Sequence, residues 1–429
     1  MRFWGLALLF LAFASKVSLA FFGIPSTVSV IIFQHGIHPY ANIVLNFLLG
    51  FPLLLYILAN WRKLDGILRA YRTMIFLLLV MFFGETLLQW FFVEGGKGIF
   101  AWFALASTYW LILMFGLLIP LVVKPGEAVK FISTWALNFV VLSLIVWVVR
   151  PDVSFKGGRF IGLFKHIPFM VTCAMLGIGF TLGRFPQDKS SLKRAWFVVG
   201  ITLSFVALLL TGTRSALAAA VMSVILWVLR APSESVPFRY FKYSTGLVLT
   251  AVVILFGAPI AEYASDIATG KKAMADREAQ DGVASRMEEV ERGWEYFQTS
   301  PYLGRGLLSK FSGKDDLDVS SYNSFKDPHN IFASAGVVGG WPFIIWTGFF
   351  VLLITGLSIR ALMSEDPMMH VFAIYAITQI PILIIYHWHL SLGGLADRMY
   401  WLVFGYLALQ IPARPSPTSV TTELKTDDF

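Results

Sequence analysis

Long apolar runs recur along almost the whole chain, near residues 41–60, 73–92, 99–123, 131–149, 167–183, 195–211, 215–229, 244–262, 337–357, 371–388 and 399–411, with another at 1–20. A run of about 20 apolar residues crosses a hydrocarbon layer of about 30 Å as a helix. Inside lipid each backbone N–H and C=O must be satisfied within its own segment or in a closed barrel. The runs therefore predict an all-α, polytopic membrane protein with about twelve transmembrane helices. Composition agrees: the 429 residues are 57% hydrophobic and 14% charged, against roughly 45–50% and 25% in soluble domains. An aromatic content of 16% suits a chain with many interfacial belts.

A formal charge of +8 would suggest a nucleic-acid partner only if the basic residues formed one face. They are scattered between apolar runs and work instead as topology signals, so no nucleic acid is expected. The single cysteine, Cys173, excludes a disulfide framework or a cysteine-based metal site. Residues 1–20 imitate a secretory signal, with Arg2, an apolar run and Ser18-Leu19-Ala20. Lys16 interrupts the run and no soluble domain follows it, so an uncleaved first span is the better reading.

Threading the spans alternately, N-terminus inside, puts five basic loops on the cytoplasmic side. They carry Arg62, Lys63, Arg69 and Arg72; Lys124 and Lys130; Arg184, Lys189, Lys193 and Arg194; Arg230, Arg239 and Lys242; and Arg360. One outer loop, residues 150–166, breaks the rule with Arg150, Lys156, Arg159 and Lys165 against Asp152 alone, which points to another use. The resulting division is 1–262 with spans one to nine, 263–336 as a large periplasmic loop containing short helices, 337–412 with spans ten to twelve, and 413–429 as a disordered cytoplasmic tail. The stretch 263–328 holds 21 of the 60 charged residues, and structureless loops beyond about 12–15 residues are usually functional or disordered. Within it Ser285-Arg286-Met287-Glu288 predicts a capping box with Ser285 at the N-cap. Val290, Trp294 and Phe297 then form the apolar stripe of a short helix ended by Ser300-Pro301, with Gly304-Arg305-Gly306 turning the chain.

Three outer positions stand out. Thr211-Gly212-Thr213-Arg214-Ser215 is a tight turn between two spans, placing Arg214 at the outer surface, either as a snorkelling arginine or as a ligand group. Arg286 falls in the first turn of the outer helix, where free amides favour an anion; the alternative is a solvated charge paired with Glu289, Glu291 or Asp281. Asp327-Pro328-His329-Asn330 closes the loop, and Pro328 stiffens it. His329 there is either a hydrogen-bonded turn histidine or a base able to take a proton from a hydroxyl near neutral pH. His387 and His389 flank Trp388 at a span end, an anchoring pattern, and no spacing specifies a zinc site from them with His35 and His38. No outer loop shows a compact carboxylate pair for a metal-dependent transferase. Asp397 is the main short-loop carboxylate, with Arg398 beside it as a possible partner. Arginines suit bidentate phosphate recognition, and a lipid-linked diphosphate leaving group needs its charge neutralised as the bond to the sugar breaks.

At these residues the sequence resembles the O-antigen ligase family, in a superfamily shared with polysaccharide polymerases. The matching pieces are Gly158-Arg159-Phe160-Ile161-Gly162-Leu163-Phe164, Leu210-Thr211-Gly212-Thr213-Arg214-Ser215-Ala216, Arg286 to Trp294 followed by Ser300-Pro301-Tyr302-Leu303-Gly304-Arg305-Gly306, and His329-Asn330 with Gly336 and Gly339. The resemblance implies metal-independent, inverting glycan transfer without a cofactor at the periplasmic face of the bacterial inner membrane. It implies an undecaprenyl-diphosphate-linked glycan as donor and a sugar hydroxyl of lipid A core as acceptor, while the threading puts both termini in the cytoplasm. Carried onto this chain, Arg214 and Arg286 would bind the diphosphate, His329 would activate the hydroxyl, and Arg159 would be a further phosphate or glycan contact. His166 carries no role, because Ile167-Pro168-Phe169 departs from the polar residue relatives often have near that proline. A polymerase using a second lipid-linked repeat, a protein O-oligosaccharyltransferase and a lipid-linked glycan transporter remain as alternatives. A transporter would use ionisable groups within spans, here chiefly Lys16 and Glu85.

Overall fold

The computed structural model describes residues 1–15, 17, 32–33, 36–37, 39–60, 84, 87, 110–156, 159–164, 166–184, 190–230, 283–304, 330–385 and 395–410. Among them the protein is mostly helical. The helices are α1 (Arg2–Ala14), α2 (Pro39–Ala59), α3 (Trp110–Val122), α4 (Pro125–Val149), the single turn α5 (Pro151–Ser154), α6 (Ile167–Arg184), α7 (Ser191–Thr211), α8 (Arg214–Arg230), α9 (Val283–Thr299), α10 (Ile331–Leu362), α11 (Pro367–Ile385) and α12 (Leu395–Gln410). Two small antiparallel hairpins complete them: β1 (Ile32–Phe33) with β2 (Gly36–Ile37), and β3 (Phe155–Lys156) with β4 (Arg159–Phe160). The apolar runs at 167–183, 195–211 and 215–229 thus appear as α6, α7 and α8. Those at 73–92 and 244–262 lie outside the described residues apart from helical Gly84 and Leu87, as do Lys16, Glu85 and the tail 413–429.

Among the described residues four helices, α4, α6, α7 and α10, are long and apolar enough to cross a membrane. α6 is the hub. It packs against α4, α7, α8, α11 and α12, and every residue from Met170 to Gly183 is buried. A helix apolar on all sides belongs at the centre of such a bundle. Small residues let its neighbours approach: a Cβ on Gly177 would lie 2.8 Å from Ser204 Oγ, and one on Gly200 of α7 would lie 2.8 Å from Leu137 of α4. Outer helices turn large apolar side chains outward, among them Ile145 and Val148 on α4 and Ile345 and Leu352 on α10. Such faces suit lipid rather than water.

Polar contacts sort the helix ends into two groups. At one end Arg2 Nε pairs with Glu127 Oε2 at 2.8 Å, and Tyr406 Oη donates to Val123 O at 2.9 Å. Met368 lies beside Gly126, Arg184 Nη1 donates to Ser133 Oγ at 2.9 Å, and Arg230 Nη2 donates to Ser364 O at 3.2 Å. This N-terminal end gathers the loops that alternate threading puts together. The opposite end carries the 150–166 loop, the turn between α7 and α8, and the junction of α9 with α10.

Two local departures have clear causes. α9 starts at Val283, so Ser285 lies inside its first turn and is not the N-cap; Val283 and Ala284 are already helical, which moves the start of the helix ahead of the expected box. α10 starts at Ile331, not 337, and breaks at Gly340, whose φ of 67° and ψ of −159° are not helical. The break separates a short N-terminal piece from a stretch of 22 residues, Trp341 to Leu362, which at ~1.5 Å per residue is ~33 Å long and matches a bilayer core.

Candidate functional site

The turn that presents Arg214 is built from its own hydroxyls. α7 ends at Thr211, and Gly212 takes a left-handed conformation with φ of 61°, for which glycine carries no steric penalty. Thr211 Oγ1 donates to Leu208 O at 2.7 Å and accepts from Thr213 N at 3.3 Å. Arg214 is then the first residue of α8, where unpaired backbone amides and the helix dipole favour an anion.

Arg159 comes to the same turn from β4. Its Nε donates to Thr211 O at 3.0 Å and its Nη2 to Thr213 Oγ1 at 2.9 Å, with only 9% of the residue exposed. The planar fork thus grips both residues flanking Gly212, which a lysine could not do. The loop carrying it is pinned to the top of α4. Ile161 N donates to Ser154 O at 2.9 Å, Leu163 N donates to Ser143 Oγ at 3.1 Å, and Phe160 and Phe164 are fully buried. The basic character of this loop therefore has a structural component. Arg159 turns inward as a brace, and Arg150 pairs at the surface with Asp152 at 2.9 Å, holding that carboxyl below its usual range through the hydrogen bond. His166 is exposed at the start of α6.

Arg286 lies in the first turn of α9. The stripe expected on this helix lands on α10. Phe297 is 5% exposed and meets Trp341 edge-on at 5.2 Å and Trp294 at 5.5 Å. Beyond it, Ser300 Oγ donates to Gly304 O at 2.7 Å, and Trp341 N donates to Pro301 O at 2.8 Å. Gly304 and Gly340 both have positive φ, 65° and 67°. A Cβ on Gly340 would lie 2.6 Å from Pro301 O, and one on Gly304 would run into Val338 O. The two strands of chain interlock through bare backbone, and the break in α10 is where the α9 loop docks.

His329 lies outside the described residues, as do His35, His38, His387 and His389. Its neighbour Asn330 caps α10, with Oδ1 accepting from Phe332 N at 2.9 Å and Ala333 N at 3.0 Å. Sequence reasoning did not mark this cap, although an Asn before an apolar run is a helix-start signal. It also missed the break, which Gly339-Gly340-Trp341-Pro342 announces. The structure thus ties Arg159 to the Arg214 turn, and the Arg286 helix to the segment that follows His329, with both pairs at the same end of the bundle. Among the described residues, no three His, Cys, Asp or Glu side chains form a group able to hold a metal ion.

Residues 199–347 match the family model described as O-Antigen ligase. The matched segment runs from within α7, through the Arg214 turn, α8 and α9, to just past the break in α10. No curated protein matches the chain.

Proposed function

We propose that the protein is an O-antigen ligase, transferring a glycan from an undecaprenyl-diphosphate carrier to a sugar hydroxyl of lipid A core. The observation that carries this reading is the ligase-family match over 199–347, which contains Arg214, Arg286 and His329. The excess of lysine and arginine at the N-terminal end, with Lys124, Lys130, Lys193, Arg194, Arg230 and Arg360, supports a cytoplasmic location for that end and both termini. The opposite end then faces the periplasm of the inner membrane, where the loop region 263–336 would lie.

In this mechanism Arg214 and Arg286 hold the diphosphate and neutralise the charge that builds on its bridging oxygen. His329 takes the proton of the acceptor hydroxyl, and that oxygen attacks the anomeric carbon. The bond from that carbon to the phosphate oxygen breaks, undecaprenyl diphosphate leaves with the electron pair, and direct displacement inverts the centre. No cofactor or metal enters the scheme.

The test is incubation of the purified protein with lipid-linked glycan and either lipid A core or a second lipid-linked repeat. Transfer to the core is expected; transfer only to the repeat overturns the ligase reading in favour of a polymerase. His329→Ala should abolish transfer and keep donor binding, and normal turnover by that variant removes His329 as the base. Arg214→Ala and Arg286→Ala should each weaken donor binding or turnover by roughly tenfold or more, the weight of a charged hydrogen bond. If neither changes, the diphosphate assignment fails.

A further inference from the structure

We infer that the N-terminal segment positions the Arg214 turn: Phe13 and Val17 fix one end of the 159–164 loop, and Arg159 at its other end carries that placement to Thr211 and Thr213. The catalytic consequence rests on the function proposed above.

α1 is coupled to α4 along its length. Arg2 pairs with Glu127, the Phe10 ring lies 4.5 Å from Trp135, and the Phe13 ring stacks on Phe139 at 5.9 Å with planes 6° apart. Partners advance almost in step along the two helices, so α1 and α4 run side by side in the same direction. Leu8, Leu9 and Phe13 are fully buried. Sliding α1 along α4 would therefore break packed contacts, which sets how far α1 reaches toward the end that carries the Arg214 turn.

From Phe13 the contact continues into the loop. Phe139 touches a second ring, that of Phe164, at 5.7 Å, and Phe164 is itself fully buried. Such aromatic pairs add geometric preference to the burial of their surface. Past the end of α1, Val17 pairs with the same Phe164 in an antiparallel backbone bridge. The N-terminal segment thus reaches Phe164 twice, through the Phe139 ring and through the main chain.

The loop between Phe164 and Arg159 is stiff enough to carry that placement. Ile161 N and Gly162 N both donate to Ser154 O, at 2.9 and 3.2 Å, and Phe164 N donates to Ile161 O at 3.0 Å. Gly162 has φ of 56° and lies against Ser143, where an added Cβ would have no room. At the other end Arg159 grips Thr211 O and Thr213 Oγ1. A close-packed segment of this kind transmits a shift instead of absorbing it. Phe13 and Val17 are accordingly positioning residues, acting on the turn through Phe164 and Arg159.

Hydrogen exchange read by mass spectrometry on the full-length purified protein reports the loop and the turn directly, and the transfer assay reports their effect on turnover. Phe13→Ala should raise exchange several-fold in segments 159–164 and 211–217 and lower kcat several-fold, with a smaller change in donor KM. Leu8→Ala removes an equally buried side chain of α1 farther from the loop. It should lower the melting temperature while both segments and kcat stay as in wild type, which separates positioning from general support of the bundle. Where Phe13→Ala does not fold, Phe13→Leu, which keeps much of the volume and loses the stacked ring, should move both segments and kcat in the same direction. Added to Arg159→Lys, Phe13→Leu should cost no further turnover, because residues that act through one contact do not add. Wild-type exchange in both segments of the Phe13 variants overturns the inference, as does an equal rise with Leu8→Ala or a multiplied loss of kcat in the double variant. If the wild type transfers glycan to neither acceptor, the proposed function fails, and the exchange comparison by itself decides the inference.

Discussion

Arg159 shows how a residue flagged for its charge can act through geometry. Its two hydrogen bonds straddle Gly212, so the position of Arg214 depends on the β3–β4 hairpin some fifty residues earlier in the chain. Replacing Arg159 by Lys keeps the charge but cannot span Thr211 O and Thr213 Oγ1. Buried hydrogen bonds from charged groups contribute about 1.5–3 kcal/mol each. Arg159→Lys should therefore lower the melting temperature and reduce turnover by roughly tenfold or more, with the loss in kcat exceeding any change in donor KM if the residue positions Arg214. A lysine variant with wild-type melting and turnover would show that the brace is dispensable. Asn330 is a second such residue. Asn330→Ala removes an N-cap worth about 1 kcal/mol and loosens the backbone next to His329, whereas Asn330→Asp keeps the acceptor. Comparison of the two by thermal unfolding and transfer assay separates the cap from the amide.

At the scale of elements, the docking of the α9 loop into the break of α10 is the feature with the sharpest steric requirement. Gly340 and Gly304 combine positive φ with contacts that leave no room for a Cβ. Left-handed backbone alone costs a non-glycine residue about 1–2 kcal/mol, and displacement of Pro301 O would add the lost hydrogen bond to Trp341 N. Gly340→Ala and Gly304→Ala should each destabilise by several kcal/mol, in the upper range for single substitutions, and raise the protein's susceptibility to protease. Gly356, on the same helix, has nothing within 4 Å of an added Cβ, so Gly356→Ala should be neutral. Equal behaviour of the Gly340 and Gly356 variants in unfolding and proteolysis would remove the interlock. The sequence reading foresaw the stripe of α9 but not where it docks. Helical periodicity shows that Phe297 has a buried side; it does not identify Trp341 and Gly336 as the surface it meets.

For the whole molecule, the sorting of helix ends makes sidedness testable. Cys173 is the only cysteine and is buried in α6, so the native protein should not react with a membrane-impermeant maleimide. In a Cys173→Ala background, cysteines at exposed Lys193 and Asp152 should label from opposite sides of the membrane, Asp152 from the periplasm. Labelling of both from one side would overturn the threading. Sequence alone determined the helical, membrane-spanning character of the chain, because lipid requires each span to satisfy its own backbone and leaves that demand written as apolar runs. It also picked out Arg214, Arg286 and His329 as candidates, because short motifs keep their order along the chain. Only the tertiary structure decided that Arg159 turns inward to brace the Arg214 turn and that α10 breaks at Gly340 to receive the α9 loop. Those relations join residues far apart in sequence, and they depend on which helix faces meet, which the apolar pattern of a span buried on several sides does not encode.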